Sequence, residues 1–255
     1  SFIGCGANTG AEWGNVALPT VQYTHGMISC SEYTGVLLST VLDMCGVDKK
    51  KAKFVLAEGA DGSSMTRTVP MDRAMDDVMV AWGMNGEMLR PENGYPLRLV
   101  VPGAQGVSWV KYLRRIEVGD QPWATKDESV HYIDLQPDGQ HRQYTSLQEA
   151  KSVITTPSGG QTMLDKGYYN VTGLAWSGRG DIKRVDVSMV GRRNWRTARL
   201  EGPVHTKALT RFNTAWVWDG KPAILSRRAI ARPAFVPPQP TQLRAFRCPP
   251  PSRPN

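Results

Sequence analysis

No run of apolar residues in this 255-residue sequence approaches the roughly 20 that a membrane-crossing helix needs, so no membrane is expected as a partner. The N-terminus lacks a basic-then-apolar leader and an initiator Met. It opens with Ser1-Phe2-Ile3, directly into a strand-like segment, so a fragment or a processed chain is expected. Cysteine is scarce: Cys5, Cys30, Cys45 and Cys248 include no CxxC pair, which removes the spacing of a structural zinc site. So few cysteines in a chain of this length do not make a disulfide framework, and cysteine use leaves the compartment open. Acidic residues stop at Asp219; Lys221, Arg227, Arg228, Arg232, Arg244, Arg247 and Arg253 follow without an anion, while the preceding chain is close to neutral. The net charge of +8 therefore belongs to a tail and not to a folded groove, which argues against nucleic acid as a partner.

Present instead is an ordinary globular balance, 40% hydrophobic and 21% charged, with many Gly and Pro turn signals. Leu37, Leu38, Val41, Leu42 and Cys45 recur at spacings of three and four, and Gly46 stops the helix they predict over 37–45. A short buried strand is expected from Lys53 to Ala57, and a loop over the Gly/Ser/Thr/Asp-rich 58–68. Asp72 is placed to cap a helix through about Val80. Asn85-Gly86 marks a hairpin turn, Leu97–Pro102 a strand, and Val107–Val118 another extended stretch. Helices and strands mix without βαβα alternation, so the class is α+β. After Trp123, Asp138-Gly139, Gly159-Gly160, Lys166-Gly167 and Gly178-Arg179-Gly180 punctuate strands expected at Tyr169–Trp176, Ile182–Ser188, Trp195–Leu200 and Trp216–Trp218. This spacing predicts an antiparallel β-sandwich with Trp176, Val185, Val187 and Trp195 largely buried. Residues 233–255 hold eight prolines and no anion, and read as disordered or wrapped on a partner.

Two segments could carry chemistry. Cys5-Gly6-Ala7-Asn8 puts a thiol at the end of a strand entering a small-residue turn, open to a large ligand. Soft thiolate suits a soft or high-valent metal, although a lone cysteine is usually a small buried hydrophobe. In Asn93-Gly94-Tyr95-Pro96-Leu97-Arg98, a turn sets Asn93 beside Arg98 at the mouth of a strand, and Lys111 adds a cation after the Gly103/Gly106 loop. Arg offers a planar fork to a phosphate. The competing reading is a decorated hairpin with solvated cations.

Cys5-Gly6-Ala7-Asn8 resembles the Cys-Ala-Gly-Asn signature of the sulfite oxidase family of molybdopterin enzymes. Asn93–Gly103 is similar to the family's pterin-binding strand, and Val110-Lys111-Tyr112-Leu113 to its Val-Lys-Trp-Leu. Gly173–Gly178 and the Val185-Asp186-Val187-Ser188 strand with Trp195 resemble the family's immunoglobulin-like dimerisation domain. These motifs follow the family's order up to about residue 228. Within the family, Tyr23–Glu32, Gly119–Trp123 and Lys151–Gly160 look most like the molybdenum subunit of the sulfane dehydrogenases of bacterial sulfur oxidation.

The resemblance implies a molybdopterin-binding domain at 1–118, a linker at 119–145, an immunoglobulin-like dimerisation domain at 146–232 and a tail at 233–255. It implies a molybdenum-molybdopterin cofactor, with Cys5 as the metal ligand and Asp61, Asn93, Arg98, Trp109, Val110 and Lys111 around the pterin and its phosphate. Tyr132 falls where the family places a tyrosine beside the substrate oxyanion; its alternative is a sandwich-edge aromatic. The implied activity is oxygen transfer from water to carrier-bound sulfane sulfur, with electrons leaving to a c-type cytochrome subunit. A sulfur-carrier protein is then the substrate, the chain is a homodimer through its sandwich, and the location is periplasmic. His25 and Cys30 are expected to pack near the core. Departures bear on the substrate. The family's Arg and His upstream of the cysteine would precede this chain, and Thr9-Gly10 stand where sulfite oxidases place two arginines, which weakens free sulfite as substrate. After Ala229 the sequence turns to Pro and Arg where relatives continue in strands, by truncation or a shifted reading frame. Sulfite dehydrogenase and a non-catalytic remnant are the other readings.

Overall fold

The computed structural model describes residues 1–8, 25–130, 132–135, 138–143, 147–158, 161 and 163–232; the expectations for Thr9-Gly10, Gly159-Gly160 and the tail lie outside these. Two small antiparallel sheets enclose the core of the first half. In one, Met79–Met84 pairs with Tyr33–Leu37, with Glu87–Met88 and with Arg98–Val100. In the other, Phe54–Gly59 is flanked by Thr66–Pro70 and Leu113–Gly119. Val55, Ala57, Val69, Val78, Leu99 and Trp109 form the core between them. The helix Leu38–Met44 closes one side by burying Leu38 and Leu42, one turn apart, and ends at Gly46 with φ +68°. Asn85 and Gly86 both take positive φ, the geometry of a tight hairpin turn.

Three local expectations fail for tertiary reasons. The helix begun near Asp72 spans only Met71–Ala74, with Pro70 and not Asp72 at its N-cap, because Met79–Ala81 are drawn into a strand paired with Arg98–Val100. The loop expected over 58–68 shrinks, since Thr66–Pro70 pairs along Phe54–Gly59. Val107–Val118 is not one extended stretch: a 3-10 turn at Gly106–Ser108 precedes the buried Trp109 and Val110, and the strand starts at Leu113.

The second half is a sandwich. One sheet orders Lys151–Thr156, Gly167–Trp176, Thr210–Trp218 and Arg199–Glu201; the other orders Arg196–Thr197, Ile182–Ser188 and Ser226–Ala231. Val171, Ala175, Ile182, Val185, Val187 and Phe212 interdigitate between the sheets. Trp195–Leu200 does not form one strand. Arg196–Thr197 pairs in one sheet and Arg199–Glu201 in the other, with the small, buried Ala198 at the crossing. Trp176, Val185 and Val187 are buried, but Trp195 is only half-buried and lies 4.6 Å under the Arg228 guanidinium.

The halves are fastened together. Phe2, Val153 and Trp176 make a third core, with the Phe2 and Trp176 rings 6.4 Å apart. Gly103, at φ +81°, meets Gly178 so closely that a Cβ at Gly103 would lie 2.5 Å from the Gly178 carbonyl oxygen. Gln148 bridges the seam: its amide donates to Gly4 O at 2.7 Å and its carbonyl accepts from Trp176 Nε1 at 3.1 Å. Residues 125–130 also pack on the first half, where the buried Glu128 carboxylate accepts from Thr68 N at 2.9 Å and from Thr125 Oγ1 at 2.6 Å. Among the described residues, no helix is long and apolar enough to cross a membrane.

Candidate functional site

Cys5 follows the strand Phe2–Gly4, which is paired with Ile28–Cys30 and pinned from behind by Phe2 and by the Gln148 bond to Gly4. The Cys5 amide donates to Met27 O at 3.0 Å and Asn8 N donates to Cys5 O at 3.1 Å, so the backbone turns at once after the cysteine. Asn8, buried, fixes that turn by accepting from Met27 N at 3.2 Å, while its Nδ2 has no partner. The thiol is left exposed. Small neighbours are required here, since a Cβ on Gly6 would fall 2.9 Å from Gln105 Oε1. The result is a cavity of about 380 Å³ walled by Gly4, Cys5, Met27, Gln105, Val107 and Tyr132.

The second cluster lies next along the Gln105–Trp109 segment. The turn at Pro91–Asn93 ends in Gly94, at φ +102°, where a Cβ would strike the Lys111 side chain at 2.8 Å. Arg98 is buried, and Nη1 and Nη2 donate to Asn93 O and Trp109 O at 3.0 and 3.2 Å, leaving Nε unpartnered. Its guanidinium lies 5.7 and 5.8 Å from the Tyr33 and Trp109 ring centroids. Burial pushes the Arg98 pKa down, opposed by the pull of Tyr33, and burial likewise pushes Tyr33 up. Trp109 Nε1 is also unpartnered. The Lys111 side chain is exposed and donates to Glu92 O at 3.0 Å. Val110 is a core residue whose carbonyl accepts from Leu99 N at 2.8 Å. Asp61 sits beyond Gly59 near Lys111; hydrogen bonds from Ser63 Oγ and Met65 N hold its carboxyl below the usual carboxylate range.

The sequence-derived residues thus fall into two groups. Cys5 and Tyr132 share a cavity, whereas Asn93, Arg98, Trp109 and Lys111 form the neighbouring corner with Asp61 at its edge. Cys30 is exposed, not packed, because among the described residues Ile28–Cys30 has a strand partner on one side only; His25 is buried. Sequence reasoning missed Gln105, Gln148, Met27 and Arg67. Arg67 was lost inside a segment taken for a loop, where a cation reads as solvated.

Among the described residues, no three His, Cys, Asp or Glu side chains come together to hold a metal ion. A metal at Cys5 would therefore take one soft thiolate from the protein and its remaining ligands from an organic group. A molybdopterin fits these residues. The thiol is exposed beside a cavity of sufficient size, and unpaired buried N–H groups on Asn8, Arg98 and Trp109 await acceptors, as a large polar ligand would supply.

Comparisons with known proteins agree with this geometry. An oxidoreductase molybdopterin binding domain matches residues 1–126, and a Mo-co oxidoreductase dimerisation domain matches 142–220. Mitochondrial sulfite oxidase from Rattus norvegicus is 33% identical over 239 residues, covering 84% of this chain and 41% of that protein. An NADPH nitrate reductase from Phytophthora infestans is 29% identical over 246 residues, covering 80% of this chain and 26% of its own. The crystal structure of the sulfane dehydrogenase SoxCD from Paracoccus pantotrophus superposes with a TM-score of 0.89 at 48% identity, over 97% of this chain and 64% of that one. The chain thus spans less than half the length of these curated relatives.

Proposed function

The chain belongs to the molybdopterin oxidoreductases of sulfite oxidase and nitrate reductase type, and on that premise we propose that it oxidises carrier-bound sulfane sulfur. The observation that carries the choice of substrate is the cavity wall. Gly4, Met27, Ile28 and Val107 present an apolar face beside Cys5, with no Lys or Arg among the described lining residues. A soft, weakly hydrated sulfur chain suits such a wall better than a free sulfite dianion, whose desolvation needs cations in contact. The identity of 48% with a sulfane dehydrogenase supports the same choice.

Two-electron redox chemistry and oxygen transfer from water are what the molybdenum-pterin group supplies when bound. The protein's share is holding and excluding. The Cys5 thiolate would ligate the metal; Asn93, Arg98, Trp109, Val110, Lys111 and Asp61 would hold the pyranopterin and its phosphate. Because Arg98 spends two nitrogens on backbone carbonyls, its contribution is to fix the corner and to offer Nε. Tyr132, at the cavity wall, would donate its phenolic hydrogen to oxygen on the substrate, while Met27 and Val107 keep bulk water from the sulfur. Each oxygen added to sulfur from one water releases two protons and two electrons. The electrons would leave singly to a c-type cytochrome subunit, the sulfur would arrive on a carrier protein, and the sandwich would form a homodimer in the periplasm.

The test uses the full-length enzyme with its cytochrome. Carrier-bound sulfane sulfur should turn over faster than free sulfite, and Cys5→Ser should abolish both activity and molybdenum retention. Faster turnover of free sulfite makes the protein a sulfite dehydrogenase, and undiminished metal in Cys5→Ser removes the assignment of the ligand.

A further inference from the structure

Lys151 opens the strand Lys151–Thr156 of the sandwich and stands opposite Trp176 in the ladder. Side chains two apart on a strand share a face, so Lys151 is on the face of Val153. That face receives Phe2, which packs against Val153 and Trp176 and is fully buried. An apolar residue is the ordinary occupant of such a place. A lysine drawn half out of water there needs a partner for its ammonium, while its stem covers apolar surface. The ammonium donates to the carbonyl oxygen of Asn8. That carbonyl belongs to the turn that follows Cys5, closed by the bond from Asn8 N to Cys5 O at 3.1 Å.

Gln148, three residues earlier in the chain, takes hold on the other side of the cysteine, donating to Gly4 O at 2.7 Å. The sandwich therefore grips the cysteine segment at two carbonyls, one just before the thiol and one just after it. Both anchors are fixed in advance: Gln148 by backbone bonds to Gly103 and Gly178, Lys151 by its place in the ladder. The strand that leads into Cys5 pairs with Ile28–Cys30 in a two-stranded sheet, separate among the described residues from the two sheets around the first core. The sandwich thus shares in setting where the thiol stands relative to Asn93 and Arg98. Groups that orient a metal's protein ligand also tune the metal, because overlap along a metal–sulfur bond changes with the direction from which the sulfur approaches.

We infer that Lys151 is a positioning residue for the reaction: by holding Asn8 O it fixes the turn after Cys5, and with it the direction from which the thiolate meets the metal. This rests on the proposed role of Cys5 as metal ligand and not on the choice of sulfur substrate.

The experiment compares full-length holoenzymes by the thiolate-to-metal absorption band, the reduction potential of the metal in a spectroelectrochemical titration, and kcat and KM. Lys151→Met keeps the stem and loses the donor. It should shift both band and potential and lower kcat about tenfold or more, with KM changed less than about twofold. Lys151→Arg keeps a cationic donor and should restore band and potential towards the parent. Lys183→Met, which removes an exposed cation of the same sandwich, should match the parent throughout. Should Lys151→Met fail to fold or to load metal, Lys151→Gln decides, since its arm is one bond too short to reach Asn8 O and it should show the same shifts. A parental band and potential in the deciding variant, whatever its thermal stability, overturn the inference and leave Lys151 a structural residue. Unfolding of every Lys151 variant but not of Lys183→Met does the same. Full metal retention in Cys5→Ser removes the ligand assignment instead, while shifted spectra in an enzyme that oxidises no sulfane sulfur leave the inference standing and overturn the proposed substrate.

Discussion

Gln148→Ala removes one side chain and leaves two buried groups without partners: the Gly4 carbonyl, 2.7 Å from Nε2, and the Trp176 indole N–H, 3.1 Å from Oε1. The backbone is spared, since Gln148 N still donates to Gly103 O and Gln148 O still accepts from Gly178 N. Each stranded buried group costs about 1–3 kcal/mol. A water entering the space would find only these two partners, fewer than buried waters usually have, and would recover part of the loss. The net expectation is about 3 kcal/mol, or a fall in Tm of about 6–12 °C for a chain of this size. The assay is calorimetric unfolding of Gln148→Ala beside Gln161→Ala. Gln161 makes an exposed bond from Ser158 N, and its loss should change stability by no more than about 0.5 kcal/mol. Equal Tm values for the two variants would refute the reasoning that Gln148 ties the cysteine strand to the sandwich.

Gly103→Ala should destabilise by about 3 kcal/mol or more, combining positive φ with a backbone clash, whereas Gly86→Ala, at φ +83° with nothing within 4 Å, should cost about 1 kcal/mol; urea midpoints separate the two. Arg98→Ala should strand the carbonyls of Asn93 and Trp109 and cost about 2–4 kcal/mol in urea unfolding, with loss of pterin measured separately. Asp61 has a folded pKa below its unfolded value, so its contribution is present above about pH 4 and disappears as pH falls through the lowered value. The stability gap between the parent and Asp61→Asn should therefore close in acid, and a gap that widens there would count against the Ser63 and Met65 bonds as its cause.

What the sequence disclosed was what local chemistry writes into it. Ile182–Ser188 was legible because Val185 and Val187 alternate with charged neighbours, and the Asn85-Gly86 turn because few residue pairs accept positive φ twice in succession. Cys5 and Tyr132 were singled out through the family resemblance, the small residues after Cys5 alone leaving it an ordinary buried cysteine, and the structure brings the two to one cavity. Gln148 and Arg67 left no such trace. Gln148 acts on a carbonyl 144 residues away, and Arg67 on a ring across the chain, so neither makes a periodic pattern. The split of Trp195–Leu200 was hidden for the same reason: which sheet claims each end is decided by strands distant in the chain.

The Gly103–Gly178 contact makes the seam between the halves stiff. Where two backbones touch without intervening side chains there is no soft material to compress, so the joint conveys displacement instead of absorbing it. A load placed on the sandwich, by a second subunit or any other body pressed against it, would travel through Trp176 and Gln148 to the strand that ends in Cys5. Assembly state and the position of the thiol are then mechanically linked, and entry to the cavity has to come from its open side, because the halves cannot part like a hinge.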